Sequence, residues 1–187
     1  MTQTSIPNSN QIATKNNFFT NAWFIYFQGI YKAIRAKFQL NLSGILSVDT
    51  DSVSNSNAGE TDLITYDLAG KTLANDGDIL TIQASGIFAV NGNNKTLKLK
   101  FGSQTIVNTG AVAANGTNWE INATIIRKSP TTQEISTRII SNNSASVTRT
   151  AGTQNLTAAI TIKCTGLGSS SDDITQEALV IGLTPND

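Results

Sequence analysis

Residues 77–110 read GDILTIQASGIFAVNGNNKTLKLKFGSQTIVNTG, and this stretch predicts the fold class. In DILTIQASGIFAV (78–90) and TLKLKFG (96–102), apolar and polar residues alternate along the chain. A period of two residues places alternate side chains on opposite faces of an extended strand. The segment NGNN (91–94) between the two runs is rich in turn residues. We therefore predict consecutive β-strands that each bury one face.

The same alternation recurs along the rest of the chain, and no segment after residue 39 has a helical period. The predicted strands are 38–48, 63–68, 78–90, 96–102, 104–110, 119–128, 132–141, 144–150, 156–166 and 177–183. Many short strands separated by turns are typical of a two-layered antiparallel sandwich. We predict a mostly-β domain over residues 39–187, with a jelly-roll-like sandwich as the first choice and an immunoglobulin-like sandwich as the second.

Residues 1–38 differ in composition from the rest of the chain. They hold eight of its twelve aromatic residues, and the first 48 residues carry four basic and no acidic side chains. Over residues 16–38 the large apolar side chains recur every three or four positions, which predicts an amphipathic helix. We therefore predict an N-terminal arm and an aromatic-rich anchor helix within residues 1–38, ahead of the β domain.

The apolar face of this predicted helix is large, and an exposed patch of such size normally marks an interface. Its candidate docking residues are Phe19, Trp23, Phe27, Ile30, Tyr31 and Ile34. Basic residues in the last turns suit the negative end of the helix dipole. Docking on another protein is the leading interpretation. Packing on the chain's own sandwich and binding at a membrane surface are the alternatives.

The composition excludes several classes of active site. The chain contains no histidine and a single cysteine, Cys164. It therefore cannot build a Ser-His-Asp or Cys-His catalytic system, an imidazole zinc site or an internal disulfide. Its 13 basic and 13 acidic residues balance, which argues against a nucleic-acid binder. Cys164 lies in an alternating run, where a buried core cysteine is expected.

Several charged segments resemble sites, but a structural role is expected for each. In DTDSVSNSNAGE (49–60) the acidic residues have the spacing of a calcium loop, yet Val53 and Ser54 occupy positions that need an oxygen ligand and a glycine. The pairs at 76–78 and 172–173 are expected to form turns. Lys98 and Lys100 are expected on the solvent face of a strand. We therefore predict no metal site and no cofactor.

Two stretches resemble a known class of proteins. NNFFTNAWFIYFQGIYKAI (16–34), which follows a polar N-terminus, is similar to the anchor region of small tailed-bacteriophage structural proteins. The segment 77–128, which includes NWEINATIIR, resembles the β-sandwich domains of phage tail, fibre and head-decoration proteins. The resemblance implies a non-enzymatic virion component that forms a symmetric oligomer, with a trimer favoured. It brings no catalytic residue and leaves head and tail locations open.

Two classes of function follow. The first is a virion structural protein whose helix docks on a neighbouring virion protein and whose sandwich oligomerises or projects. The second is a carbohydrate-binding module for host-surface glycans, in which an exposed Trp119 could stack on a sugar. We expect Trp119 in the core instead, because it alternates in register with Ile121 and Ala123. We expect no enzymatic activity and no nucleic-acid partner, and a membrane surface is the least favoured partner of the helix.

Overall fold

The structure, a computed structural model, describes residues 26–27, 29–30, 44–142 and 144–186. The chain divides into two units, Met1–Leu42 and Ser43–Asp187, and each is described by itself. In the first unit the four described positions are helical. The remainder of the helix predicted over residues 16–38 lies outside the described residues. That helix, and the domain boundary after residue 38, therefore stay predictions.

In the second unit the described residues form eleven β-strands, most of which match a predicted strand. They are β1 (Gly44–Asp49), β2 (Val53–Ser54), β3 (Glu60–Leu68), β4 (Ile79–Phe88), β5 (Thr96–Phe101), β6 (Gln104–Asn108), β7 (Asn118–Ser129), β8 (Thr132–Ser141), β9 (Ser144–Gly152), β10 (Ile160–Leu167) and β11 (Ile174–Thr184). The two-residue strand β2 was not predicted, because only its pairing with β11 defines it.

The strands form two antiparallel sheets around a shared hydrophobic core. The larger sheet has the order β1-β11-β4-β7-β8-β9, with β2 also paired to β11, and the smaller sheet has the order β3-β10-β5-β6. This arrangement confirms the prediction of a mostly-β antiparallel sandwich. Strands near the start of the domain pair with strands near its end, since β1 pairs with β11 and β3 pairs with β10.

Alternate apolar side chains of the central strands fill the space between the sheets. In β4, Leu80, Ile82 and Ala84 are buried, whereas Thr81 and Gln83 are exposed. In strand β5 of the smaller sheet, buried residues alternate with half-buried ones in the same way. Burial of each large apolar side chain stabilises the fold by about 1.5–3 kcal/mol. The alternation that predicts the strands therefore also supplies the core.

Trp119 and Cys164 both lie in this core, as predicted. Trp119 has 1% of its surface exposed and pairs with Gly86 across β7 and β4. A Cβ on Gly86 would stand 2.6 Å from the Trp119 ring carbon Cζ2, so a glycine here makes room for the indole. Burial raises the pKa of the Cys164 thiol to about 12. Neither side chain can therefore serve as a surface site.

The larger sheet continues past the core at the hairpin of β8 and β9. The first part of β8 belongs to the core, with Ile135 fully buried. By contrast, eight of the nine residues of β9 are exposed. In the connecting turn Asn142 has a φ of 47°, a left-handed conformation that asparagine tolerates. Strand β9 is thus an edge strand held by β8 on one side and exposed on both faces.

Candidate functional site

An open cleft of about 550 Å³ lies between the edge strand β6 and the inner face of β8 and β9. Hydroxyl and amide side chains dominate its lining, among them Thr105, Asn108, Thr137, Ser146 and Thr148. None of the described residues that line the cleft is charged. Its volume falls within the ~300–1,000 Å³ typical of ligand pockets. We refer to this feature as the β6–β9 cleft.

The register of the hairpin determines which side chains of β9 face the cleft. Strands β8 and β9 pair without a register shift, with Thr137 opposite Thr148 and Ile139 opposite Ser146. Directly opposed residues lie on the same face of a sheet. The inner face of β9 therefore continues the buried face of β8, but with serine and threonine in place of apolar residues. The cleft consequently presents hydroxyl groups beside a partly apolar base.

A second candidate region is a buried polar network around Lys95. The Lys95 side chain is fully buried. Its Nζ donates hydrogen bonds to Asn91 Oδ1 at 2.7 Å, to the Ala114 carbonyl oxygen at 2.8 Å and to the Asn93 carbonyl oxygen at 3.1 Å. A buried ammonium is tolerated only when oxygen atoms satisfy it in this way. The sequence places Lys95 beside two solvent-facing lysines and does not predict its burial.

Asp173 belongs to the same network, because it binds the two asparagines that also contact Lys95. Its carboxylate accepts hydrogen bonds from the side-chain amides of Asn91 at 2.8 Å and Asn93 at 3.0 Å, and from the backbone amides of Ser169 at 2.8 Å and Ser170 at 2.9 Å. Burial by itself raises the pKa of Asp173, but these hydrogen bonds together lower it to about 2. The turn predicted at 172–173 is present. The role of Asp173 in joining two loops was not predicted.

The acidic residues of the 49–60 segment do not come together around a common point. Hydrogen bonds from Lys100 at 2.6 Å and Lys98 at 2.5 Å lower the pKa of Glu60 to about 2. Asp49 instead accepts a hydrogen bond from the backbone amide of Asp51. In the part of the chain that the structure describes, no three or more His, Cys, Asp or Glu side chains are grouped to hold a metal ion.

Asp76 and Asp78 stabilise the turn in which they lie. Asp78 accepts hydrogen bonds from the backbone amides of Asn75 at 2.7 Å and Asn186 at 2.8 Å. Asp76 forms an ion pair with Arg127 at 3.0 Å. The predicted turn is therefore present, and both carboxylates are engaged by other groups of the chain.

Two of the six candidate docking residues, Phe27 and Ile30, fall within the described residues. Phe27 has 46% of its surface exposed. Its ring lies edge-on to that of Tyr26, with centroids 5.8 Å apart. Phe19, Trp23, Tyr31 and Ile34 lie outside the described residues, so the docking face stays a prediction. Within the described ranges, no helix has the length and apolar character needed to cross a membrane.

Comparison with known proteins assigns the chain to no family. No protein-family model matches it. No curated protein matches it either. Among solved structures it is similar to the CBM2 module of the evolved Dit of Lactobacillus casei BL23 phage J-1, with 7% sequence identity and a TM-score of 0.39 over 72% of this chain and 76% of that chain.

Proposed function

We propose that this chain is a non-enzymatic structural component of a bacteriophage particle. In this proposal the N-terminal unit docks on a neighbouring virion protein, and the sandwich projects or assembles with copies of itself. The assignment to a phage rests on the resemblance of segments 16–34 and 77–128. The structural observation that supports an assembly role is the exposed edge strand β9, because unpaired strand edges are surfaces on which chains associate.

The architecture fits a jelly roll that carries one additional hairpin. Without β8, β9 and the two-residue strand β2, the two sheets would have the four-stranded orders β1-β11-β4-β7 and β3-β10-β5-β6. Eight strands in two such sheets make up a jelly roll. The hairpin lengthens only the larger sheet and leaves its last strand largely outside the core. We therefore assign β9, the outer strand of the hairpin, to a contact with other molecules rather than to the closing of the fold.

The docking role of the arm is tested by deleting two aromatic rings. In the double variant Trp23→Ala with Phe27→Ala, the loss of each ring removes about 1.5–3 kcal/mol of the binding free energy that burial at the interface would supply. We expect the variant to be lost from purified phage particles, as measured by quantitative mass spectrometry, while its thermal melting curve stays unchanged. Val90→Ala is the matched control, because Val90 is an apolar side chain of the sandwich with 85% of its surface exposed.

Normal incorporation of the double variant would contradict docking through the arm. A second outcome also distinguishes the interpretations of the helix. If the double variant melts at a much lower temperature than the parent chain, the arm stabilises its own sandwich, and the self-packing interpretation replaces docking.

Carbohydrate binding is the second candidate function, and the β6–β9 cleft is the observation that favours it. Its described lining is uncharged and rich in hydroxyl and amide groups. Such a lining matches a neutral, hydroxyl-rich chain better than an anionic or strongly apolar ligand. Trp119 contributes no stacking surface, since it is buried. Any sugar would therefore be held by hydrogen bonds and by the aliphatic base of the cleft.

Neutral hexasaccharides of glucose and of N-acetylglucosamine are suitable probes for this second function. Binding is followed by chemical-shift changes in NMR spectra of the whole chain. If the cleft binds them, Thr105→Val combined with Ser146→Ala weakens binding, because one hydroxyl is lost from each wall. Thr81→Val, on the exposed outer face of β4, serves as the control and leaves binding unchanged. Shifts that are absent, or that lie outside the cleft, argue against this function.

A further inference from the structure

The ammonium group of Lys95 lies in a cage of oxygen atoms. Its Nζ is 2.7 Å from Asn91 Oδ1, 2.8 Å from the Ala114 carbonyl oxygen, 3.1 Å from the Asn93 carbonyl oxygen and 3.3 Å from the Asn91 carbonyl oxygen. An ammonium carries three hydrogens, so four oxygens are one more than its directed hydrogen bonds require. The oxygens therefore surround the charge as ligands surround a bound ion.

The cage is built largely by the backbone of two loops. Asn91 and Asn93 belong to the loop between β4 and β5, and Ala114 belongs to the loop between β6 and β7. The backbones of Lys95 and Val112 exchange two hydrogen bonds of 2.9 Å, which hold these loops together. Three of the four cage oxygens are backbone carbonyls. We therefore expect the cage to keep its shape when the side chain of Lys95 is shortened.

Asp173 supplies the negative charge that a cation in the cage balances. Lys95 and Asp173 are both fully buried. The carboxylate accepts hydrogen bonds from the side-chain amides of Asn91 and Asn93, and oxygens of the same two residues bind Lys95. Two asparagines thus lie between one buried positive charge and one buried negative charge. Because a buried charge without a counter-charge is costly, the cage requires a cation of charge one.

The distances and the ligand type indicate which ion the cage fits. Oxygens at 2.7–3.3 Å lie too far out for Mg²⁺, which binds at about 2.0–2.1 Å, and for Ca²⁺, which binds at about 2.3–2.6 Å. All four are carbonyl or amide oxygens without a formal charge. Rings of carbonyl oxygens replace the hydration shell of K⁺ in potassium channels. A large monovalent cation therefore matches both the spacing and the charge.

We propose that this cage is a monovalent-cation site in which the ammonium of Lys95 takes the place of the ion, and that K⁺ binds there when the side chain is shortened. The parent chain carries its own cation, so the stability of these loops is independent of which monovalent salt is present. Removal of the ammonium opens the cage to an ion from solution. This inference does not depend on the function proposed above.

Lys95→Ala of the whole chain tests the site by its melting temperature. Potassium chloride is compared with tetramethylammonium chloride at equal ionic strength, because tetramethylammonium is too bulky for the cage. In tetramethylammonium chloride we expect the variant to melt below the parent chain. In potassium chloride its melting temperature should rise by about 3–6 °C for each tenfold increase in K⁺ above the dissociation constant. The parent chain should melt at the same temperature in both salts.

Two further variants separate ion binding from a general effect of salt. Lys95→Met keeps a side chain of similar length without a charge, which obstructs the cage, so this variant should be destabilised equally in both salts. Lys98→Ala removes a lysine whose ammonium pairs with Glu60 at the surface, and its melting temperature should not respond to K⁺. Crystals of Lys95→Ala grown in rubidium chloride should show anomalous density inside the cage.

Equal melting temperatures of Lys95→Ala in the two salts would overturn the proposal. An equal response to K⁺ in Lys95→Met or Lys98→Ala, or rubidium density found only outside the cage, would overturn it as well. If Lys95→Ala is unfolded in tetramethylammonium chloride, folding on addition of K⁺, followed by circular dichroism, supports the site. A variant that stays unfolded in both salts counts against it, because the ion then fails to replace the ammonium.

Discussion

The close contact between Gly86 and Trp119 makes residue 86 sensitive to a single methyl group. A Cβ there would meet the Trp119 ring at 2.6 Å and also collide with the Thr175 carbonyl oxygen. Since backbone cannot move aside cheaply, we expect Gly86→Ala to lower the free energy of unfolding by about 1–3 kcal/mol. Gly44→Ala is the control, because a Cβ on this strand glycine meets no atom within 4 Å. Urea denaturation compares the two, and equal stabilities would disprove the contact.

At the scale of elements, two carboxylates hold loops and strands together and make stability depend on pH. The folded pKa values of Glu60 and Asp173 are both about 2, below their ordinary values of 4.5 and 3.8. A lowered folded pKa stabilises the fold above the unfolded pKa, and this contribution is lost as pH falls through the folded pKa. We therefore expect the free energy of unfolding to fall as pH drops from about 4.5 to 2. Asp173→Asn should make the free energy of unfolding depend less on pH. Asp51→Asn should not have this effect, because Asp51 is exposed.

At the scale of the whole molecule, residues 39–187 should fold without the preceding arm. The described core is built from strands of the second unit, and its largest side chains, such as Trp119, Phe88 and Phe101, all lie there. We expect a chain limited to residues 39–187 to melt cooperatively with a β-type circular dichroism spectrum. An insoluble or unfolded product would show that residues 1–38 complete the core, and the two-part organisation would then be wrong.

The sequence by itself determined most strands of the second unit and, for the strands of the core, the face that each one buries. Leu97, Leu99 and Phe101 alternate with lysines, and this pattern is local, so it can be read without knowing which strands are neighbours. The burial of Trp119 and Cys164 followed from the same period. The sequence also predicted the turn around Gly77. Glycine readily adopts the positive φ that this turn requires, and this preference depends only on the residue itself.

Only the tertiary structure decided which residues far apart in the chain meet. Lys95 is buried and Lys98 is not, because oxygen atoms from Asn91, Asn93 and the distant Ala114 surround the first ammonium. The β6–β9 cleft and the free edge of β9 depend in the same way on sheet order, which pairs strands without regard to their separation in sequence. Alternation specifies a strand's faces but not its neighbours, since backbone hydrogen bonds are alike for every sequence.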